Sequence, residues 1–392
     1  MDIHKSVFCG RVGRQRKAKA AATVLLSALC LSSVAHAQKT QIITFDAPGA
    51  DITPGDNNGT YASGINAEGA ITGTLQDSGN AFHGYLRSPN GKITTFDVPA
   101  AFIGPYSGTS PSEINDRGEI TGYYSDANGV DHGFLRSPDG SFKTFDPPGV
   151  GGYGVVPIAI NLEGAVVGYY TDANFTFHSF VRHPDGTFAA FLVPGQCTGN
   201  YTVGCYGSEL SNINDFGLSV GNYMDNSPNL VQHGYIRQAD GSFTSYEEPK
   251  AGTGVGQGTG CPGCFAGLNQ FGVIAGIYTD ANNVYHGYIR TPDGKFTSFD
   301  APGAGTAQYT GTGCGSDCPV YINNWGSISG VYTDANGVYN TYLRYPNGKT
   351  VTVDPKGSIF AVPAGINDAE TVAGYYADAN GVYHGFVVLS CN

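Results

Sequence analysis

The chain has 392 residues, 41% hydrophobic and only 13% charged, with a formal net charge of −12. Gly (58) and Pro (21) make up a fifth of it, Tyr (25) and Phe (21) are abundant, and Met (2) and Trp (1) are scarce. Helix formers are few, which excludes a helical bundle or coiled coil, and regular aromatic and Ile/Val spacing supplies a core, which excludes general disorder.

Residues 1–37 read as a signal peptide. Lys5, Arg11, Arg14, Arg16, Lys17 and Lys19 form a basic leader, an apolar run follows from Ala20 to Val34, and Ala35-His36-Ala37 is a small-x-small cleavage site. The run is too short to span a bilayer, and no later segment is longer, so membrane insertion is not expected. Cleavage removes six of the 20 basic residues and Asp2 of the 32 acids, leaving 14 against 31 and a net charge of −17. A surface of that sign excludes nucleic acid and anionic membranes as partners. The expected product is secreted in bacterial style, periplasmic or extracellular.

From residue 38 to 392 the chain reads as a single repeat domain. The marker is an apolar residue before Asn: Asn66, Asn115, Asn161, Asn214, Asn269, Asn323 and Asn367, spaced 44 to 55 residues apart. In the second unit an alternating run, Gly118 to Tyr124, leads to an Asp126-Ala127-Asn128-Gly129 turn. A second run, Val130 to Arg136, leads to Pro138-Asp139-Gly140 and then to Ser141 to Asp146. Period-two alternation with this punctuation predicts four antiparallel strands per unit, joined by hairpins. Seven such units predict an all-β, seven-bladed β-propeller; a β-solenoid is the second reading. The seventh unit lacks its fourth strand, and Ile42-Ile43-Thr44-Phe45-Asp46 at the other end has the missing pattern. The N-terminal strand is therefore expected to close the last blade.

Several polar positions repeat. His83, His132, His178, His233, His286 and His384 share one, with Asn340 in the sixth unit. Asp77, Asp126, Asp172, Asp225, Asp280, Asp334 and Asp378 precede them in the turns. One per blade, they are spread around a ring, so they read as scaffold rather than as one catalytic centre, and no catalytic residue is assignable. The repeated Asn reads as a hairpin cap, and the strand glycines (Gly73, Gly122 and equivalents) as points of close approach between sheets. Asp-x-Asn-Gly turns are oxygen-rich enough to hold calcium, but the full loop with its closing Glu is absent, so no metal or other cofactor is expected.

Symmetry breaks in the long fourth-to-first-strand connections, which share one face. Tyr106, Tyr153, Tyr201, Tyr206, Phe265 and Tyr309 in them are ligand-face candidates, suited to stacking on a sugar. Trp325 lies in a first hairpin turn and should face the opposite side. Six cysteines occupy three of the long connections: Cys197 and Cys205, Cys261 and Cys264, Cys314 and Cys318. In an exported chain they read as disulfides, most simply within each loop, with zinc or redox chemistry as the alternative for Cys261-x-x-Cys264. Cys391 is left over, free or a link between otherwise monomeric chains.

The pattern Ile-Asn-x-x-Gly-x-Ile-x-Gly, a variable turn and then His-Gly-Phe-Leu-Arg resembles the HAF extracellular repeat family, seven times over residues 60–392. This chain carries His-Gly-Phe/Tyr where that family has His-Ala-Phe, and ends its units Thr-Phe-Asp-x-Pro-Gly. The resemblance implies an exported propeller-like protein and carries no catalytic residues with it. The functional expectation is a non-catalytic binding module for an unknown glycan or protein. The alternative is a secreted polysaccharide lyase or hydrolase, for which Glu113, Asp116, Glu209 and Asp215 are the acids outside the repeat positions.

Overall fold

The computed structural model describes residues 39–55, 58–198, 204–261 and 263–391. The expected signal peptide lies outside them. Every regular element described is a β-strand, 29 in all. No helix among the described residues is long and apolar enough to cross a membrane.

Six of the seven units form antiparallel four-stranded meanders of the expected kind. In the first, Thr60–Ile65, Ile71–Gln76, Phe82–Arg87 and Ile93–Phe96 pair in chain order. The seventh unit has only three consecutive strands, ending in Tyr383–Cys391. Its fourth place is taken by Lys39–Phe45, which runs antiparallel with Ile42 opposite Val388 and Phe45 opposite Gly385.

The hydrogen-bond ladders divide these strands into six sheets rather than seven. Five have four strands. The sixth has nine, because a two-residue strand, Gly258–Thr259, pairs with Gln232 of unit 4 on one side and with Thr279 and Tyr278 of unit 5 on the other. The physical cause is the long connection after Tyr246, which folds back into the seam between two units and fuses their ladders.

The repeated asparagines do more than cap. Each Oδ1 accepts backbone N–H groups of its own turn, as Asn214 does from Phe216 and Leu218. Each Nδ2 donates to the backbone carbonyl of the next asparagine. Asn66 reaches Asn115, then Asn161, Asn214, Asn269, Asn323 and Asn367 follow, and Asn367 donates back to Asn66, at 3.0–3.4 Å throughout. All seven are buried. A second, partial circuit runs beside the first: the N–H groups of Ala67, Leu162, Asp215, Gln270 and Asn324 donate to the side chains of Asp116, Asp215, Gln270, Asn324 and Asp368 in the following units.

The outer seams are held by cation–π pairs. Arg87, Arg136, Arg182, Arg237, Arg290 and Arg344 lay their guanidinium groups over Phe45, Phe96, Phe145, Phe191, Tyr246 and Phe299 of the preceding unit, 4.7–5.1 Å from the ring centroid. The strand glycines serve contacts inside one sheet, not between sheets. A Cβ on Gly73 would sit 2.1 Å from the Tyr61 carbonyl oxygen of the adjacent strand. A Cβ on Gly84 would sit 2.5 Å from the Phe96 ring.

Replacing Asn214 with Ala removes two turn bonds and one seam bond at a buried position. The expected loss is about 2–4 kcal/mol, read by urea denaturation. The exposed turn residue Asn128, replaced with Ala, should change stability by less than about 0.5 kcal/mol.

Candidate functional site

The first strand of every unit lines a central channel. Most of these inner strands carry a β-bulge, located between Ala62 and Gly64, Pro111 and Glu113, Pro157 and Ala159, Leu210 and Asn212, and Pro363 and Gly365. The extra residue breaks the period-two alternation and re-aims the side chains that follow. Two positions before each ring asparagine stand Gly64, Glu113, Ala159, Asn212, Gly267, Tyr321 and Gly365. The polar groups of that layer are thus one carboxyl, one amide and one phenol.

The channel opens on the long-connection face into a cavity of about 400 Å³. Aromatic side chains (Tyr123, Phe265, Tyr321, Tyr375) share its wall with Ser63, Ser112, Ser211, Asn212, Glu113 and Asp317. Asp317 sits in the left-handed region at φ 56°, inside the tight Cys314–Cys318 loop. Towards the hairpin face the channel holds a second cavity of about 200 Å³, where Glu113, Asp116 and Asp215 all line the wall. Three of the four acids that stand outside the repeat positions therefore share one cavity wall. The fourth, Glu209, is buried apart from them and accepts the Gly263 N–H at 2.8 Å.

Burial sets the charge of these groups. It pushes the Glu113 carboxyl up to about 8, helped by repulsion from Asp116 and opposed by the Ile114 N–H. It pushes Glu209 up to about 7 against the Gly263 hydrogen bond, with Asp317 adding repulsion. Glu113 is thus a neutral acid at pH 7, able to donate as well as accept.

The ligand-face candidates are not gathered into one site. Phe265 alone lines the channel mouth. Tyr106 and Tyr309 stand exposed on separate connections at positive φ, their N–H groups donating to Asn80 and Asn283. Tyr153 packs against Phe175 and Tyr206 against Phe177, so both belong partly to their loops. Tyr201 lies outside the described residues. The disulfides are the in-loop pairs Cys197–Cys205, Cys261–Cys264 and Cys314–Cys318, with Cα separations of 5.9, 5.1 and 5.8 Å. The last two loops abut: the sulfurs of Cys261, Cys264 and Cys318 lie within 4.8 Å of one another, the set that would hold a thiophilic metal were the bonds reduced.

Five of the six repeated histidines are braces between two acids, and His178 meets Asp172 alone. His83 lies 3.0 Å from Asp97, at the end of its unit, and 3.4 Å from the turn residue Asp77. His132 meets Asp146 and Asp126, His286 meets Asp300 and Asp280, His233 meets Glu247 and Asp225, and His384 meets Asp46 and Asp378. His384 thus ties the N-terminal strand to the last unit at 2.7 Å. Tyr124, Tyr170, Tyr223 and Tyr278 stack on the imidazoles of their units. The turn aspartates spend Oδ1 on backbone N–H groups, as Asp126 does on Asn128 and Val130. In the sixth unit Asn340 donates to Val338 instead.

A sequence position overlooked on the opposite face is the tip of the first hairpin turn. Units 4, 5 and 6 carry Phe216, Phe271 and Trp325 there, 75%, 68% and 69% exposed. The signal was available as one repeat position holding three rings in succession, but only Trp325 stood out by residue type.

No protein-family model matches the sequence, and no curated protein does. Among solved structures, the lectin BP39L from Burkholderia pseudomallei is similar with a TM-score of 0.54 at 10% identity, over 84% of this chain and 96% of that one. Puromycin hydrolase is similar at 0.49 and 13% identity, over 86% of this chain and 54% of that one. The Aleuria aurantia lectin is similar at 0.42 and 10%, over 82% and 97%. The first of these likenesses establishes the fold as a β-propeller.

The charge braces fix the pH dependence of stability. Glu247 and Asp300 hold His233 and His286 above the usual imidazole range; for His83, burial opposes the charge but Asp97 and Asp77 outweigh it. These histidines stabilise fully below their unfolded pKa, about 6.5, and lose that contribution as pH rises through the raised values. Glu113 and Glu209, raised by burial, act in the same direction as they are forced to ionise above about 4.3. Hydrogen bonds from Val130 and Asn128 lower Asp126 to about 2, and Asp77, Asp172, Asp225, Asp280, Asp334 and Asp378 are lowered too. They stabilise above about 4 and lose that as pH falls. The melting temperature should peak near about pH 5 and fall on both sides, as a calorimetric pH series would show.

Proposed function

We propose that the chain is an exported seven-bladed propeller of HAF-like repeats, closed by the strand Lys39–Phe45, that binds a glycan or protein segment at the channel mouth on its long-connection face. The closed circuit of seven asparagines supports seven blades, each unit supplying one link. The nine-stranded sheet then counts as two blades sharing Gly258–Thr259. The pairing of Lys39–Phe45 with Tyr383–Cys391, the Arg87–Phe45 contact and the Asp46–His384 pair support closure by that strand. The basic leader and cleavage pattern in residues 1–37 support export.

The observation that carries the binding reading is the 400 Å³ cavity itself. Aromatic faces beside hydroxyls, an amide and carboxyls suit a sugar or a short peptide, which present apolar and hydrogen-bonding surfaces together. A lectin shares the fold, but the reading rests on the chemistry of this wall. The second reading, a secreted polysaccharide lyase or hydrolase, has one observation in its favour: Glu113, raised by burial, shares the channel with Asp116, Asp215 and Asp317.

A glycan array followed by mass analysis of each hit tests both. Binding with the glycan recovered at unchanged mass is expected, and Phe265→Ala and Asp317→Asn should each weaken it about tenfold. Shortened or unsaturated products abolished by Glu113→Gln would establish the enzyme instead.

A further inference from the structure

The face opposite the long connections is built from short hairpin turns that are clamped in place. In units 4, 5 and 6 the tip residue of the first turn is aromatic, and Phe216, Phe271 and Trp325 point no more than a third of their surface into the protein. Three large exposed rings at one position of three successive repeats form an arc, and exposed aromatic surface of this extent marks an interaction site.

The arc is rigid. The N–H groups of Phe216, Phe271 and Trp325 donate at 3.0–3.1 Å to Asn214, Asn269 and Asn323 of the asparagine circuit. The three turns are tied to one another as well. Asp215 donates its N–H to Gln270, Gln270 to Asn324, and Asn324 to Asp368 in unit 7. The backbone that carries the rings needs no ordering when a ligand arrives, which removes part of the entropic cost of binding.

Between the first two rings lies a cavity of about 390 Å³, walled by Phe216, Phe271, Leu218, Ile236 and Pro292 and by the polar side chains of Asn214, Gln238, Gln270 and Arg290. None of the residues lining it is a carboxylate, although the protein carries a net charge of −12. The Arg290 guanidinium is engaged over the Tyr246 ring, 5.0 Å away. The wall therefore offers rings and aliphatic groups with three neutral amides among them. A charged polymer would need ions to pair with, and this wall has no carboxylate and a single guanidinium already engaged. An uncharged polysaccharide strand presents apolar sugar faces at regular intervals with hydroxyls between them, which is the complement of rings with amides among them.

We propose that Phe216, Phe271 and Trp325 form a stacking platform for an uncharged polysaccharide strand, a second binding surface separate from the channel mouth. Trp325 is the only tryptophan of the chain, so its emission reports on the platform directly. The experiment is native affinity electrophoresis of the full chain through gels holding a mixed-linkage β-glucan, a xylan, a galactomannan or amylopectin, with titration of tryptophan emission against any that retards it. At least one should retard the protein and shift the emission. Phe216→Ala and Phe271→Ala should each weaken binding about fivefold to tenfold, and the triple variant with Trp325→Ala should abolish it while melting as the wild type does. The proposal is overturned if no neutral polysaccharide of the panel binds, or if the triple variant is retarded like the wild type. It is equally overturned if retardation is lost in Phe265→Ala and Asp317→Asn but kept in the triple variant, which would place the strand at the channel mouth.

Discussion

The asparagine circuit is the constraint on which the rest of the structure depends. A carboxamide has an acceptor at one end and a donor at the other, and here both ends are used at a buried position. The oxygen closes a local hairpin turn and the nitrogen reaches the next unit, so one side chain couples secondary structure to ring geometry. Aspartate would keep the first function and lose the second, since an ionised carboxylate has no donor to offer a carbonyl. Because Asn367 returns to Asn66, no unit stands at an end of this row. The circuit also sets the height of the inner strands, and with it which residues form the neck of the channel.

The outer seams show the same economy of parts, and one exception reveals the rule. Where units 1 to 6 place an arginine, unit 7 has Val388, and where the preceding unit would offer an aromatic ring, unit 6 has Val353. The two valines share one buried apolar cluster. Beside them Thr341 stands where most units have glycine, and a smaller neighbour in place of a ring leaves room for its Cβ. In units 1 and 2 the corresponding glycines, Gly84 and Gly133, lie under Phe96 and Phe145, where any Cβ would collide with the ring. At the seam of units 6 and 7 ring, glycine and arginine are all replaced, whereas the seam of units 3 and 4 keeps Phe191 and Arg237 beside Ser179. The histidines extend this logic to polar contacts: five of the six link the turn aspartate to the acid at the unit's end, and His178, whose unit ends in Phe191-Leu192, keeps only Asp172.

Much of this was legible in the sequence because repeats make tertiary neighbours visible as periodic residues. The strands, their order, the turn chemistry and the kinship of Ile42–Asp46 with the unit ends all follow from alternation and punctuation. Three features did not. Gly258–Thr259 lies in a glycine-rich connection with no apolar alternation, so nothing marked it as a strand bridging two units. That Glu113, Asp116 and Asp215 line one cavity follows from the placing of three residues on two different units, one in a bulged inner strand and two in hairpin turns, which no pattern along a single unit shows. The aromatic loop residues looked like one set because they share a face, but Tyr106, Tyr153 and Tyr309 stand on the connections of different units, and only Phe265 lies over the channel.

The two faces differ in what they leave free to vary. On the long-connection face a residue changes together with its loop, whose length and packing are its own. On the hairpin face the backbone is pinned by both circuits, so the tip side chain is the one element that can change without disturbing the ring. Units 2 and 3 use that freedom for an exposed ion pair, Arg117 with Glu163 at 3.0 Å, and units 4 to 6 use it for aromatic rings. Such an exposed pair contributes little to stability, and exposed rings contribute less still to the fold that carries them. Neither choice is required by the scaffold. A position that the scaffold holds rigid yet leaves chemically unconstrained is where binding specificity can be written at least cost to folding, and three successive units of the seven carry rings there.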